Sequence, residues 1–229
     1  MLKYLTLFAI VAISLSSCKS DPAGPASVVY VQPKLGSVFT FDEYRADSIT
    51  GLPVPGHRDT SVQTVLQTGI PWMGKTNVMK VVTIAGKTND TSYINFETNN
   101  DISTLYDANK GQWITFPISS KITNSIVLSD TIETGHGVSR ETKITLAASY
   151  VDNETMVVKG QSINVIKIQK LATQTITTSG VSTIDSLLTF GYFAPSLGYT
   201  SKIDQPISTD RFGTKAEGLL STLIDFNLK

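Results

Sequence analysis

Apolar and polar residues alternate along much of this chain with the two-residue period of a β-strand. Ile144 and Leu146 flank Thr145 in one such segment, and a similar alternation runs from Leu220 to Leu228. Successive side chains of a strand point to opposite faces of a sheet, so each segment turns one face toward a core and one toward water. The pattern predicts strands with a dry side and a wet side.

Two other segments, Val78–Ile84 and Leu187–Phe193, are apolar on both faces. A strand of this kind is buried on both sides, so something covers its second face. A sheet that curves around its own core would provide that cover. Capping by residues 54–71 or by residues 206–218 is the alternative.

Short clusters of Gly, Asn and Asp separate the apolar runs at intervals of roughly ten residues, which is typical of an all-β protein. These clusters favour left-handed backbone or side-chain turn bonds, and they fall at residues 86–90, 99–101, 109–111, 152–154 and 179–180. Consecutive strands joined by short loops are antiparallel neighbours. We therefore predict an all-β fold: a single large curved antiparallel meander sheet or an open barrel.

Two stretches interrupt this regular pattern. Pro53 and Pro55 predict an irregular loop between the first two strands, since proline lacks a backbone donor. Residues 208–223 could hold a short helix, although Gly218 argues against a long one because glycine costs about 1 kcal/mol in a helix interior. Few helices are expected elsewhere, apart from the N-terminal segment.

The N-terminus has the pattern of a secretory signal. Lys3 supplies positive charge, Leu5–Leu15 is apolar, and Ser16 and Ser17 are small. The apolar run is too short for a good membrane-spanning helix, which needs about 20 residues. We expect a helix over residues 1–17 with few contacts to the rest of the protein.

The four residues Leu15-Ser16-Ser17-Cys18 resemble the lipobox of bacterial lipoproteins. The resemblance implies that Cys18 receives a diacylglyceryl group, that cleavage falls between Ser17 and Cys18, and that a further acyl chain such as palmitate is often added. Lys19 follows in place of the aspartate that retains such proteins at the inner membrane. The implied location is the cell envelope, with the protein anchored in the outer membrane and facing the periplasm or the cell surface.

These features divide the chain into three parts. Residues 1–17 are the predicted signal peptide, and residues 18–27 form a lipidated N-terminus with a tether rich in proline and small residues. Fully extended, this tether would reach about 28 Å from the membrane. Residues 28–229 form the predicted single β domain.

Composition excludes several functional classes. The formal net charge is +0 with 41% hydrophobic residues, so a core is expected and a nucleic-acid partner is not. With Cys18 acylated, no cysteine remains for disulfides or thiolate chemistry. His57 and His136 have no partners at metal-ligand spacing, and no nucleophile or phosphate-binding motif is present. We expect no enzymatic activity, no catalytic residues, no cofactor and no metal.

The segment Tyr192–Tyr199 resembles the late strands of bacterial periplasmic proteins and lipoproteins that build a broad, strongly curved antiparallel sheet. Residues 112–118 and 158–168 are similar to earlier strands of that group. More distantly, the layout resembles the half-barrels of the lipoprotein carriers LolA and LolB, and the resemblance carries over no functional residue beyond Cys18. In physical terms, Pro195 suits the first corner of a turn and Gly198 its left-handed position.

Aromatic side chains provide the remaining candidate site. They could line a concave surface for an apolar ligand, and core packing explains them as well. The candidate residues are Trp72, Trp113, Tyr93, Phe116 and Tyr192, with Phe96 and Phe193 as further members. The first functional hypothesis is an apolar or lipidic ligand in the hollow of the sheet. The alternative is a scaffold that binds another envelope protein along a sheet edge or through a Thr/Ser-rich face, and a hydrolase is the third.

Overall fold

The computed structural model describes residues 30–97, 102–108, 111–117, 124–135, 138–209 and 213–229. Within these ranges the chain forms strands and turns and contains no helix. Twelve strands build one curved, open antiparallel sheet, which confirms the predicted fold class. The predicted signal peptide, the tether and Cys18 lie outside the described residues.

The strands are β1 (Val38–Ala46), β2 (Pro53–Trp72), β3 (Lys75–Ala85), β4 (Thr88–Glu97), β5 (Ile102–Asp107), β6 (Gln112–Pro117), β7 (Asn124–Gly135), β8 (Val138–Val158), β9 (Gln161–Thr178), β10 (Val181–Ala194), β11 (Tyr199–Gln205), β12 (Ser208–Thr209), β13 (Lys215–Ala216) and β14 (Gly218–Asn227). Their order in the large sheet is β6-β5-β4-β3-β2-β1-β14-β11-β10-β9-β8-β7. Two meanders are thus joined through β14, which pairs with both β1 and β11. Strands β12 and β13 form a separate two-stranded ribbon.

Contacts between non-adjacent strands reveal the curvature. The Tyr199 hydroxyl donates to Gln63 Oε1 at 2.6 Å, although β11 and β2 are three positions apart in the sheet. The Ser201 hydroxyl donates to Met156 Sδ at 3.4 Å across the same number of strands. In a flat sheet these strands would be about 14 Å apart. The sheet therefore curls until its two meanders meet.

The hollow between the meanders is filled with side chains. Phe39 is 0% exposed and stacks on Tyr199 with ring centroids 4.3 Å apart. The buried members of this main core are Phe39, Phe41, Val65, Met79, Val81, Val158, Ile163, Val165, Tyr192, Ala194, Leu197, Tyr199 and Leu223. Burial raises the pKa of the Tyr199 hydroxyl above its usual range. The interior is thus a close-packed apolar core like that of other globular proteins.

A smaller core covers the other face of the second meander. It contains Ala148, Ile166, Ile168 and Phe193, with Tyr30 packed against it. Tyr192 and Phe193 are neighbours in sequence but belong to different cores, because consecutive side chains in β10 point to opposite faces. The segment Leu187–Phe193 is thus covered on both sides near its end, in part by the chain preceding β1.

The predicted loop at Pro53 and Pro55 is wrong, because β2 begins at Pro53. Pro53 stands opposite Ala46 and residues 58–60 stand opposite Asp42–Tyr44 of β1, whereas residues 54–57 form an irregularity without partners in this register. Pairing with β3 starts only at Ser61. Proline is tolerated where one side of a strand has no neighbour.

The predicted turn at residues 152–154 is also wrong, because β8 runs through it without a break. Val151 is an extra residue opposite β9 and forms a β-bulge. Beyond the bulge, Glu154 accepts a hydrogen bond from Lys167 Nζ at 2.9 Å. The hairpin instead turns at Lys159 and Gly160, both with positive φ. The long ladder with β9 outweighs the turn preference of Asp and Asn in this segment.

Residues 208–223 contain no described helix, which corrects the short helix expected there. Ser208–Thr209 and Lys215–Ala216 form the β12–β13 ribbon, and β14 starts at Gly218. A Cβ at Gly218 would lie 2.8 Å from the Gln205 carbonyl oxygen, so glycine permits this close approach. Pairing of β14 on both sides stabilises the extended state over a local helix.

The predicted turn after β10 is confirmed. The Leu197 amide donates to the Ala194 carbonyl at 3.0 Å, and the Gly198 amide donates to the Pro195 carbonyl at 3.1 Å. Gly198 has φ +59°, the left-handed conformation predicted for it. The turn reverses the chain into β11.

Candidate functional site

Four aromatic side chains gather on the first meander. Trp72 stacks on Tyr93 with centroids 4.2 Å apart and planes 6° from parallel. Tyr106 meets Trp72 edge-on at 6.4 Å and Trp113 at 5.3 Å. We call these four residues the aromatic cluster. The structure thus brings together three of the predicted ligand-binding aromatics and adds Tyr106, which sequence reasoning missed.

The β2–β3 turn explains how the aromatic cluster forms. Met73 and Gly74 both have positive φ, the backbone of a tight hairpin turn. The Trp113 indole donates to the Met73 carbonyl at 2.9 Å, so the turn folds over strands β4 to β6. Tyr106 stands directly opposite Trp113 in the pairing of β5 with β6. This pairing could have placed Tyr106 in the aromatic cluster.

Stacking occupies aromatic surface that a ligand would need. Trp72 covers one face of Tyr93, and Lys75 Nζ lies 5.7 Å from the Trp113 ring centroid. The Trp72 indole nitrogen is buried without a hydrogen-bond partner among the described residues. The cluster therefore acts as a small satellite core that fixes the β2–β3 turn.

The other two predicted residues lie elsewhere. Tyr192 belongs to the main core, where its ring lies 4.7 Å from Lys202 Nζ and 5.4 Å from Lys167 Nζ. Phe116 pairs with Ser103 in the backbone register of β5 and β6, and its side chain lies outside the described set. The five predicted aromatics thus do not form one concave surface in the described part of the chain.

An open groove lies between the second meander and the β12–β13 ribbon, with a volume of about 260 Å³. Its lining residues are Ile144, Ala172, Thr173, Gln174, Asp185, Ser186, Leu187, Ser208, Thr209, Thr214 and Ala216. We call this space the ribbon groove. Its floor is largely apolar, and its border carries hydroxyl and amide groups and the Asp185 carboxylate. Such a lining suits a slender apolar molecule with a polar end.

Strand register explains the depression in the floor. Ala172 stands opposite Leu146 on one side and Leu187 on the other. A small side chain between two large ones leaves space at the sheet surface, because cross-strand neighbours are only about 5 Å apart. Leu187 is 36% exposed beside this gap. The position of Ala172 between two leucines is set by strand register and is not visible in the sequence alone.

Lys170 lies on the same face as Ala172, two residues earlier on β9. A Cβ added at Gly191 would lie 3.3 Å from Lys170 Cε and Nζ, so the glycine makes room for the lysine side chain. Desolvation lowers the pKa of Lys170 to about 8. A partly buried cation thus stands beside Gly191, on the same face of β9 as Ala172.

Replacing Lys170 by methionine is expected to raise the free energy of unfolding at pH 7 by about 1–3 kcal/mol. The native pKa is below the unfolded one, so the wild-type native state binds fewer protons than the unfolded state above pH 8. Wild-type stability should therefore rise from pH 8 to about pH 10.5, and the variant should lack this rise. Urea denaturation at pH 7 and pH 9.5 measures both effects. Lys87→Met at an exposed site is the control, and the same change in the free energy of unfolding for Lys170→Met at both pH values, or a loss of stability at pH 7, would contradict the prediction.

Two further open pockets are bordered by charged side chains that are already paired. One, of about 270 Å³, includes Lys202 and Asp204, whose charged groups lie 3.5 Å apart. The other, of about 370 Å³, includes His57 and Arg58, and Arg58 Nε lies 2.8 Å from Asp42 Oδ1. Neither offers the apolar floor of the ribbon groove.

The described ranges contain no group of three His, Cys, Asp or Glu side chains that could hold a metal ion. They also contain no helix long and apolar enough to cross a membrane. His136 lies outside these ranges.

The chain is similar in fold to a solved bacterial structure. A predicted lipoprotein from Parabacteroides distasonis superposes with a TM-score of 0.51 at 7% identity, covering 87% of this chain and 99% of the other. A predicted exported protein from Bacteroides fragilis with a YmcC-like fold gives a TM-score of 0.44 at 10% identity, also covering 87% and 99%. No protein-family model and no curated protein matches the chain. The likeness to LolA and LolB stays a prediction.

Proposed function

We propose that this protein is a lipid-anchored, non-enzymatic protein of the bacterial cell envelope that binds an apolar or lipidic molecule in the ribbon groove. The lipobox resemblance at Cys18 supports the anchor. The solved structure of similar fold that is described as a lipoprotein is compatible with it. The observation that carries the binding function is the apolar floor formed by Ile144, Ala172 and Leu187.

The main core fills the hollow inside the curled sheet, which favours the ribbon groove as the binding site. Phe39, Val65 and Met79 are 0% exposed inside the curled sheet, so a ligand there would have to displace packed side chains. The ribbon groove is open and needs no such displacement. Its volume of about 260 Å³ lies just below the usual range for ligand pockets and suits one acyl chain or a similarly slender group.

A groove-filling variant tests the proposal. Ala172→Phe should lower the affinity for a dansylated C11 fatty acid at least tenfold, because the phenyl ring would occupy the gap between the two leucines. Thr175→Phe is the matched control, since Thr175 lies three residues further along β9 on the opposite face. Fluorescence titration of the mature protein in mild detergent gives the affinities. Equal affinities in the two variants would contradict binding in the groove.

Native mass spectrometry of the mature protein extracted from cells provides a second measurement. We expect a non-covalent apolar adduct on the wild type and on Thr175→Phe, and its loss from Ala172→Phe. A consistently empty wild-type protein would count against the proposal.

A scaffold is the second candidate function, and one observation favours it. Strand β7 is an edge of the large sheet, with a second hydrogen-bonded neighbour absent from the described residues. Val127 is 49% and Ile132 is 69% exposed on this strand. Such an edge can accept a strand from another protein. An empty groove combined with a stoichiometric protein partner in the same extraction would favour this function.

A further inference from the structure

The chain that precedes β1 lies at one end of the molecule, together with several turns. The Val31 amide donates to the Pro195 carbonyl at 2.9 Å, which fixes the entering chain beside the β10–β11 turn. The β8–β9 turn lies at the same end, and the ammonium group of its Lys159 forms an ion pair with the Asp225 carboxylate near the end of β14. The Lys229 amide, at the C-terminus, donates to Ser37 Oγ at 3.3 Å. We call this region the entry end.

The entry end exposes apolar side chains beside lysines. Leu35 is 63% and Val157 is 69% exposed, and neither packs into a core. Lys34 precedes Leu35, Lys229 approaches Gly36 from the C-terminal side, and Lys159 follows Val157 by two residues. Asp225 offsets part of this positive charge by pairing with Lys159. Apolar side chains at the entry end thus have cationic neighbours.

The length of the preceding chain limits which end can meet a membrane. From Cys18 to Tyr30 the chain spans about 40 Å at most. Tyr30 lies beside Phe193, which stands opposite Ile166 of β9, and the residues from Ile166 to Ser179 place the opposite turn about 43 Å from this point. An acyl group on Cys18 thus holds the entry end, and not the opposite end, next to the bilayer.

We infer that the entry end lies on the bilayer surface, with Leu35 and Val157 inserted among the lipid headgroups. This inference rests on the proposed anchoring of Cys18. Apolar side chains gain free energy by leaving water, and lysines beside them can extend their ammonium groups to lipid phosphates. The opposite end, with the β9–β10 turn, then projects away from the membrane. The partner of the entry end is the lipid surface itself.

Two valines at opposite ends of the β9 hairpins provide a matched test. Val157 is 69% and Val181 is 68% exposed, and each lies next to a two-residue turn that ends in glycine. We would prepare Val157→Cys and Val181→Cys in the mature protein, in which acylated Cys18 leaves the new cysteine as the sole free thiol. Each is labelled with the fluorophore NBD. The proteins are reconstituted in vesicles of phosphatidylethanolamine and phosphatidylglycerol that contain doxyl-labelled lipid.

The doxyl lipid should quench NBD at position 157 by more than half and leave position 181 nearly unchanged. Introducing Leu35→Asp into the Val157→Cys protein should reduce the quenching, because a carboxylate resists entry into the headgroup layer. Equal quenching at both positions, or stronger quenching at position 181, would overturn the inference. Two labels per chain, or failure of the protein to float with the vesicles, would overturn the anchoring itself and with it this orientation.

Discussion

Gly198→Ala is expected to lower the free energy of unfolding by about 4 kcal/mol or to prevent folding. A Cβ at this position would lie 1.6 Å from the Val31 carbonyl oxygen and 2.8 Å from Pro33 Cδ. Both contacts are far inside van der Waals distance. Val31 cannot move away easily, because its amide is bonded to the Pro195 carbonyl. The left-handed φ of +59° adds a further cost for any residue with a side chain.

Gly180→Ala separates these two contributions. Gly180 has φ +80°, but a Cβ there would meet nothing within 4 Å. We expect it to cost about 1–2 kcal/mol from backbone strain alone. Urea denaturation of wild type and both variants measures the difference. Equal losses for the two alanines would show that the entering chain does not press on Gly198.

Cys18→Ala is expected to move the protein from the membrane fraction to the soluble fraction almost completely. The acyl chains supply about 0.8 kcal/mol for each buried methylene, far more than Leu35 and Val157 can provide by themselves. Cell fractionation and metabolic labelling with a fatty acid measure the two consequences. The label should be absent from the variant and present on the wild type.

Ser20→Ala is the control for Cys18→Ala, because it changes the same stretch and leaves the thiol intact. It should label and fractionate like the wild type. If Cys18→Ala still takes up the fatty-acid label, the acylated residue is not Cys18, and the proposed function loses its main support.

The general architecture could be predicted from local patterns. Alternating residues such as Ile144 and Leu146 define strands wherever one face is buried, and short turns such as Ser179–Gly180 join neighbours in a meander. The errors arose where long-range pairing outweighs local preference. Asp152 and Asn153 favour a turn in isolation, but they pair with Lys167 and Ile166 of β9, directly after the bulge at Val151. Single-sequence patterns do not contain this information.

The candidate site was harder to predict for a related reason. Aromatic residues are conspicuous in a sequence, yet Trp72 and Tyr93 stack on each other and Tyr192 lies in the main core. The ribbon groove depends on which residues become cross-strand neighbours, above all on Ala172 between two leucines. It also depends on a ribbon that the sequence suggested as a helix. Register and ribbon both come from the assembled sheet.

The pairing of β1 with β14 has a consequence for the order of folding. Val38 stands opposite Asn227. The central pair of strands therefore brings together residues from near the two ends of the described chain. Each meander can form from local hairpins, but contacts between distant residues form slowly because a long loop must close first. A chain that crosses a membrane from its N-terminus would lack its central ladder until the last strand has crossed. In such a chain, the topology would delay completion of the native sheet until β14 has been translocated.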